Sequence, residues 1–180
     1  MNWELSKTNI EGCVLVSNPE FSDLRGSFSE TYKKSLFKSL GLPEMQQDNH
    51  LVTKRGGIRA MHWQDGEYSQ AKLINVVVGE IFDAVYDLRM DSSTFGTLAT
   101  FELNDNSPML FVPAGCAHGF QGISEISIVH YKTDKEYEAQ SQRAFAWNDP
   151  SVQINWPVKN ALVSDKDAQA PLLSQYRQND

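Results

Sequence analysis

Between residues 72 and 133 the chain alternates short β-rich runs with turn-rich breaks, and this spacing limits its fold more than any other feature. The runs KLINVVV and EIFDAVYDLR flank Gly79-Glu80, and in the second Phe82, Ala84, Tyr86 and Leu88 alternate with Ile81, Asp83, Val85 and Asp87. A period of two is that of a pleated strand, so residues 72–89 are expected to form a hairpin. The runs TLATFEL, MLFVP and EISIVHYK follow, separated by NDNSP and AGCAHG. Many short strands at near-regular spacing predict an all-β sandwich or jelly roll. One helix is expected among them: Ser29 as cap, Tyr32, Leu36, Phe37 and Leu40 on one side, and a stop at Gly41 with Pro43 beyond.

The 180 residues suit a single domain spanning 1–180, without internal repeat or linker. Hydrophobic residues at 41% and charged residues at 22% are enough to build a packed core. There is no apolar run of membrane-spanning length, and MNWELSKTNIEG lacks the apolar core of a signal peptide, so a cytoplasmic location is expected. The net charge of −7, from 23 acidic against 16 basic groups, speaks against nucleic-acid or membrane partners. An anionic ligand would need a local basic pocket, for which Arg25, Lys54, Arg55, Arg59, Lys72 and Lys132 are candidates. Cys13 and Cys116 have no paired spacing and read as buried thiols.

Two motifs bear on chemistry. RGGIRAMHWQ presents His62, which by itself could be a base, half of a metal site or a polar strand end. FVPAGCAHGF sets Pro113, Gly115 and His118 in a P-x-G-x-x-H pattern resembling the second motif of the cupin superfamily. Metal-binding cupins add H-x-H and a glutamate, because a divalent ion needs three or four convergent ligands. Here Gln64 stands where the second histidine would be, and His50 and His130 lack the spacing. A base is therefore the better reading of His62, with no metal.

A wider resemblance runs from about residue 10 to residue 173. The segments FSDLRGSFSETY, QQDNH, GGIRAMHWQ, QAKLINVVVGEIFDAVYDLR, SSTFG, VPAGCAHGF, VHYKTDKEY, WNDPSVQINWP and VSDKDAQAP resemble, in order, the dTDP-4-dehydrorhamnose 3,5-epimerase family. The resemblance implies a cupin-like jelly roll with one or few short helices, usually a homodimer, acting on a dTDP-sugar without metal or organic cofactor. It implies His62 as base, Asp167 as its carboxylate partner, Tyr131 as general acid and Lys72 beside the reacting carbonyl. It further implies Arg25 and Arg59 on the diphosphate, and Phe21, Glu30, Gln47, Asn49, His118 and Tyr137 around the nucleotide sugar. On spacing alone Asp167 would pass for a solvated tail residue, Tyr131 for a strand-end aromatic and Lys72 for a surface lysine.

The implied chemistry suits these residue types. A keto group at C4 acidifies the protons at C3 and C5, a histidine with an aspartate behind it can remove them, and a cation can hold the resulting enolate. Inversion then needs a proton on the opposite face, which a phenol can supply. The sequence departs from the family at Ala60-Met61 and Trp63 around His62, in the proline-free loop DGEYS, and at Glu136-Tyr137 where an aromatic pair is usual. These touch specificity first. Family relatives that invert C3 alone or take another nucleotide sugar remain alternatives, as do a metal-dependent cupin enzyme and a non-catalytic sugar-nucleotide binding module.

Overall fold

The computed structural model describes residues 3–176 as two facing β-sheets with short helices at their margins. In chain order the elements are β1 (Glu4–Lys7), β2 (Val14–Ser17), β3 (Glu20–Asp23), β4 (Gly26–Ser29), α1 (Lys34–Ser39), β5 (Gln47–Lys54), β6 (Gly57–Gln64), β7 (Lys72–Val78) and β8 (Glu80–Asp87). There follow β9 (Leu98–Asn104), β10 (Met109–Val112), β11 (Cys116–Gly122), β12 (Ile126–Thr133), β13 (Gln142–Ala144), β14 (Leu162–Val163), α2 (Asp165–Ala168) and α3 (Leu173–Tyr176). The first sheet has the order β1-β2-β10-β7-β12-β5 and the second β13-β6-β11-β8-β9, with β14 added parallel to β6. β3 and β4 pair as a separate two-stranded arm. Among the described residues no helix is long and apolar enough to cross a membrane.

The all-β expectation holds, but the expected hairpin over 72–89 does not form. β7 lies between β10 and β12 in the first sheet, and β8 between β11 and β9 in the second. Alternation reports which faces a strand presents, not which neighbour it pairs with. Gly79 carries the chain from one sheet to the other at φ +79, where a Cβ would lie 2.6 Å from the carbonyl oxygen of Ile126. Left-handed backbone and close approach together require glycine there.

The helix also begins later than expected. Ser29 ends β4 opposite Glu20, and α1 starts after Lys33 without a side-chain cap. Its end agrees: the N–H groups of Gly41 and Leu42 return to the carbonyls of Lys38 and Phe37. Phe37 is its buried anchor, packed with Val16, Met45, Leu73 and Phe111 on the outer side of the first sheet.

Between the sheets, Ile74, Val76, Ile81, Val85, Leu110, Val112, Phe120 and Val129 form the main core. Each such side chain contributes roughly 1.5–3 kcal/mol when fully buried. The second sheet is covered on its outer face as well, where Ala60, Met61, Ala84, Tyr86 and Ala117 meet Phe145, Val152, Trp156 and Leu173 of the C-terminal segment. This second layer explains why β8 and β11 are buried on both sides. It also returns the chain across the second sheet, so that α2 arrives beside β6. Cys13 and Cys116 are free, buried thiols, as expected.

Candidate active site

A cavity of about 310 Å³ opens between the sheets, with Ile74, Phe120 and Val129 of the core among its walls. His62, Arg59, Lys72, His118, Tyr131, Tyr137 and Asp167 all face it. On a regular strand Arg59 and His62 would point to opposite sides. Instead β6 bulges: His62 pairs with His118 and Arg59 with Phe120, three steps on β6 against two on β11. The strands approach closely there, since a Cβ on Gly119 would fall 2.4 Å from that of Ala60. Both polar side chains are thereby turned inward.

His62 Nε2 lies 2.7 Å from Asp167 Oδ1. Asp167 is no solvated tail residue: it is 5% exposed and sits in α2, its N–H donating to the Ser164 cap. With Nε2 committed to the carboxylate, Nδ1 is the nitrogen that remains for chemistry. Tyr131 belongs to β12 in the opposite sheet, so dyad and phenol face the cavity from different walls. Burial pushes the Tyr131 phenol up from its ordinary value and Tyr137 adds to this, against a downward pull from Arg59. The phenol therefore keeps its proton at neutral pH.

A second histidine and aspartate lie deeper. His118 Nε2 is 2.8 Å from Asp83 Oδ2, and both residues are buried. Lys72, from β7 in the first sheet, donates to the carbonyl of His62 at 3.2 Å. Burial pulls its ammonium down to about 8, with Asp83 and Cys116 opposing that fall. The lysine is thus charged at pH 7 but loses its proton well below an ordinary lysine.

The sequence matches the family model described as dTDP-4-dehydrorhamnose 3,5-epimerase over residues 7–175. The chain belongs to the dTDP-4-dehydrorhamnose 3,5-epimerase family. It is an isomerase with the family's cupin-like fold. A dTDP-4-dehydrorhamnose 3,5-epimerase of Shigella flexneri is 39% identical over 164 residues, covering 89% of this chain and 91% of that protein. The crystal structure of the Bacillus anthracis enzyme, with TDP and PPi bound, superposes with a TM-score of 0.91 at 38% identity, covering 96% of this chain and 100% of that one. The Legionella pneumophila epimerase in complex with dTDP-4-keto-L-rhamnose gives a TM-score of 0.90 at 31% identity, over 96% and 94% of the two chains.

The remaining residues that the family resemblance singles out lie elsewhere. Gln47 and Asn49 stand on the face of β5 that presents Leu51 to the cavity; Gln47 accepts from the backbone N–H of Tyr137, and Asn49 donates to the carbonyl of Tyr131. They are thereby bonded to the backbone of two residues that line the cavity. Phe21, Arg25 and Glu30 are not brought to it. Phe21 and Arg25 lie in the β3–β4 arm, Phe21 exposed and Arg25 paired with Asp23, while Glu30 follows the arm with its carbonyl held by Asn18.

Residues not singled out from sequence also shape the site. Asp83 supports the floor, and its signal was a carboxylate on the same strand face as Ile81 and Val85. Gln142 accepts from the Tyr137 hydroxyl at 2.6 Å and from Lys166 at 2.7 Å, tying the rim together, and no sequence pattern announced it. Gln64, at the position where metal-binding cupins carry a histidine, is committed to backbone. Its amide donates to the carbonyls of Tyr68 and Glu136, and its oxygen accepts from Glu138 N–H. Among the described residues no group of three or more His, Cys, Asp or Glu is placed to hold a metal ion.

Proposed function

We propose that the chain epimerises dTDP-4-keto-6-deoxy-D-glucose at C3 and C5 to dTDP-4-keto-L-rhamnose, without a cofactor. The observation that carries this is the 2.7 Å His62–Asp167 pair facing a cavity whose opposite wall presents Tyr131. His62 Nδ1 takes the proton from C3, and the C–H electron pair moves into the enolate with the charge on the C4 oxygen. Asp167 stabilises the imidazolium so formed. Lys72 and His118 stand beside the enolate oxygen, where fixed donors act without reorganisation. The Tyr131 hydroxyl delivers a proton to the other face and recovers one from solvent, the His62 imidazolium releases its proton to solvent, and a second cycle with the restored base and acid inverts C5. Arg59 binds the diphosphate with the bidentate geometry suited to a guanidinium.

The same reading includes a homodimer in the cytoplasm. Phe21, Arg25 and Glu30 are expected at the ligand yet lie outside their own chain's cavity, and the arm exposes Phe21 at 59% and Phe28 at 66%. A second copy whose arm lies across the mouth would both cover these rings and complete the site. Mixing inactive Arg25→Ala and His62→Ala proteins should then restore activity in the mixed dimers, whereas sites complete within one chain would give none.

The reaction itself is tested in deuterated water with NMR location of the label. Label at both C3 and C5 is expected. Label at C3 alone would make this a 3-epimerase, and label at neither would leave another nucleotide sugar or a binding module.

A further inference from the structure

Asp83 is a buried carboxylate next to a cavity-lining histidine for which the proposed reaction gives no direct use. It is fully buried on β8 between the sheets, and only one of its oxygens is engaged: Oδ2 accepts from His118, while Oδ1 has no hydrogen-bond partner. Folded chains rarely leave a buried carboxylate oxygen in this state, and where they do the position often has a role in the site. Lys72 and His118 both line the cavity, and Asp83 is bonded to the inner side of His118.

We propose that Asp83 is the positioning residue of the cavity floor, orienting His118 through a buried hydrogen bond and holding Lys72 in the ammonium form that the enolate requires. The purpose assigned to Lys72 rests on the epimerisation reading above. The surrounding charges favour Asp83 as the group responsible. Cys116 of β11 is also near enough to act on the Lys72 charge, but burial pushes its thiol up to about 12, so it carries no charge where Lys72 titrates. Asp167 of α2 is already engaged by His62 of β6. Arg59 and Lys166 bring positive charge to the cavity and work against a second ammonium, while Tyr131 of β12 stays neutral. Asp83 is then the anion that counters the desolvation of Lys72. It lies behind His118 and Lys72 and touches no reacting atom.

The test is the titration of the Lys72 ammonium by NMR of the labelled, substrate-free protein, with the signal identified by its loss in Lys72→Arg. Asp83→Asn keeps an oxygen to accept the His118 N–H and removes only the charge. The Lys72 midpoint should fall from near 8 by about one pH unit or more, a tenfold change in proton affinity. A midpoint that stays or rises overturns the proposal. His118→Gln provides the second variant, because it leaves the Asp83 charge in place and should keep the Lys72 midpoint within a few tenths of a unit. A fall in His118→Gln as large as that expected for Asp83→Asn would overturn the charge role, even if Asp83→Asn failed to fold. In turnover, the alkaline limb of kcat should move with the Lys72 midpoint in Asp83→Asn while KM stays. The titration needs no substrate, so absence of epimerase activity in the native protein would sink the functional reading and leave the test of Asp83 standing.

Discussion

The cavity holds two histidine–aspartate pairs on adjacent strands, alike in chemistry and unlike in setting. His62 pairs with Asp167 at 2.7 Å with the histidine side chain 24% exposed, and His118 pairs with Asp83 at 2.8 Å with its side chain 7% exposed. A base must exchange its proton with substrate and solvent, so the accessible imidazole suits that task and the sealed one does not. In the proposed reaction the deeper pair instead supports the lysine assigned to the developing charge. Hydrogen-bond geometry is nearly the same in both, and exposure separates their roles.

The comparison can be broken at each pair. Asp167→Asn keeps the shape of the outer pair but removes its charge and puts the wrong tautomer within reach, so solvent exchange into the sugar should fall by about 10²–10⁴. A fall below tenfold, measured by deuterium uptake at C3, would make Asp167 a scaffold and erase the distinction. Lys72→Met tests the inner support, with kcat expected to drop ~10²–10³ and KM to change little. The same substitution should remove a pH dependence of stability. Lys72 binds its proton less tightly in the folded state than in the unfolded one, so between about 8 and 10.5 the unfolded chain carries the extra proton and stability rises with pH. Denaturant titrations across that range should show the rise in the native protein and its loss in Lys72→Met. A rise that persists in Lys72→Met would show that the lysine is not its source.

Tyr131→Phe sharpens the comparison from the opposite wall. It removes the acid and leaves the outer pair intact, so C3 should still exchange with solvent while inversion at C5 is impaired. Loss of both exchanges together would show that Tyr131 acts before any carbanion forms. Arg59→Ala is the smallest of these effects, because the proposed reaction assigns it to the ligand's diphosphate and to neither pair. Calorimetry should show dTDP binding weakened by about ten- to hundredfold, and unchanged affinity would remove Arg59 from the diphosphate.

The sequence disclosed these parts unevenly, for physical reasons. The period of two in residues 81–88 revealed β8 and its two faces, yet not that Gly79 sends β7 and β8 into different sheets, because pairing partners depend on distant chain. Asp83 was visible as a carboxylate among Ile81 and Val85, although nothing local tied it to His118, 35 residues away. Asp167 lies in a charged stretch that looks solvated, and its burial depends on the C-terminal segment crossing the second sheet. Only the family resemblance pointed to it. The resemblance also named Phe21, Arg25 and Glu30, which no single chain brings to the cavity.

The central claim is that the accessible pair supplies the base, and solvent exchange in a folded His62→Asn protein tests it most directly. With dTDP binding and the near-ultraviolet spectrum unchanged, the account predicts no deuterium at C3 or C5 above the uncatalysed background. Exchange near the native rate at either carbon would contradict it, and would move the search for the base to His118 or Tyr131.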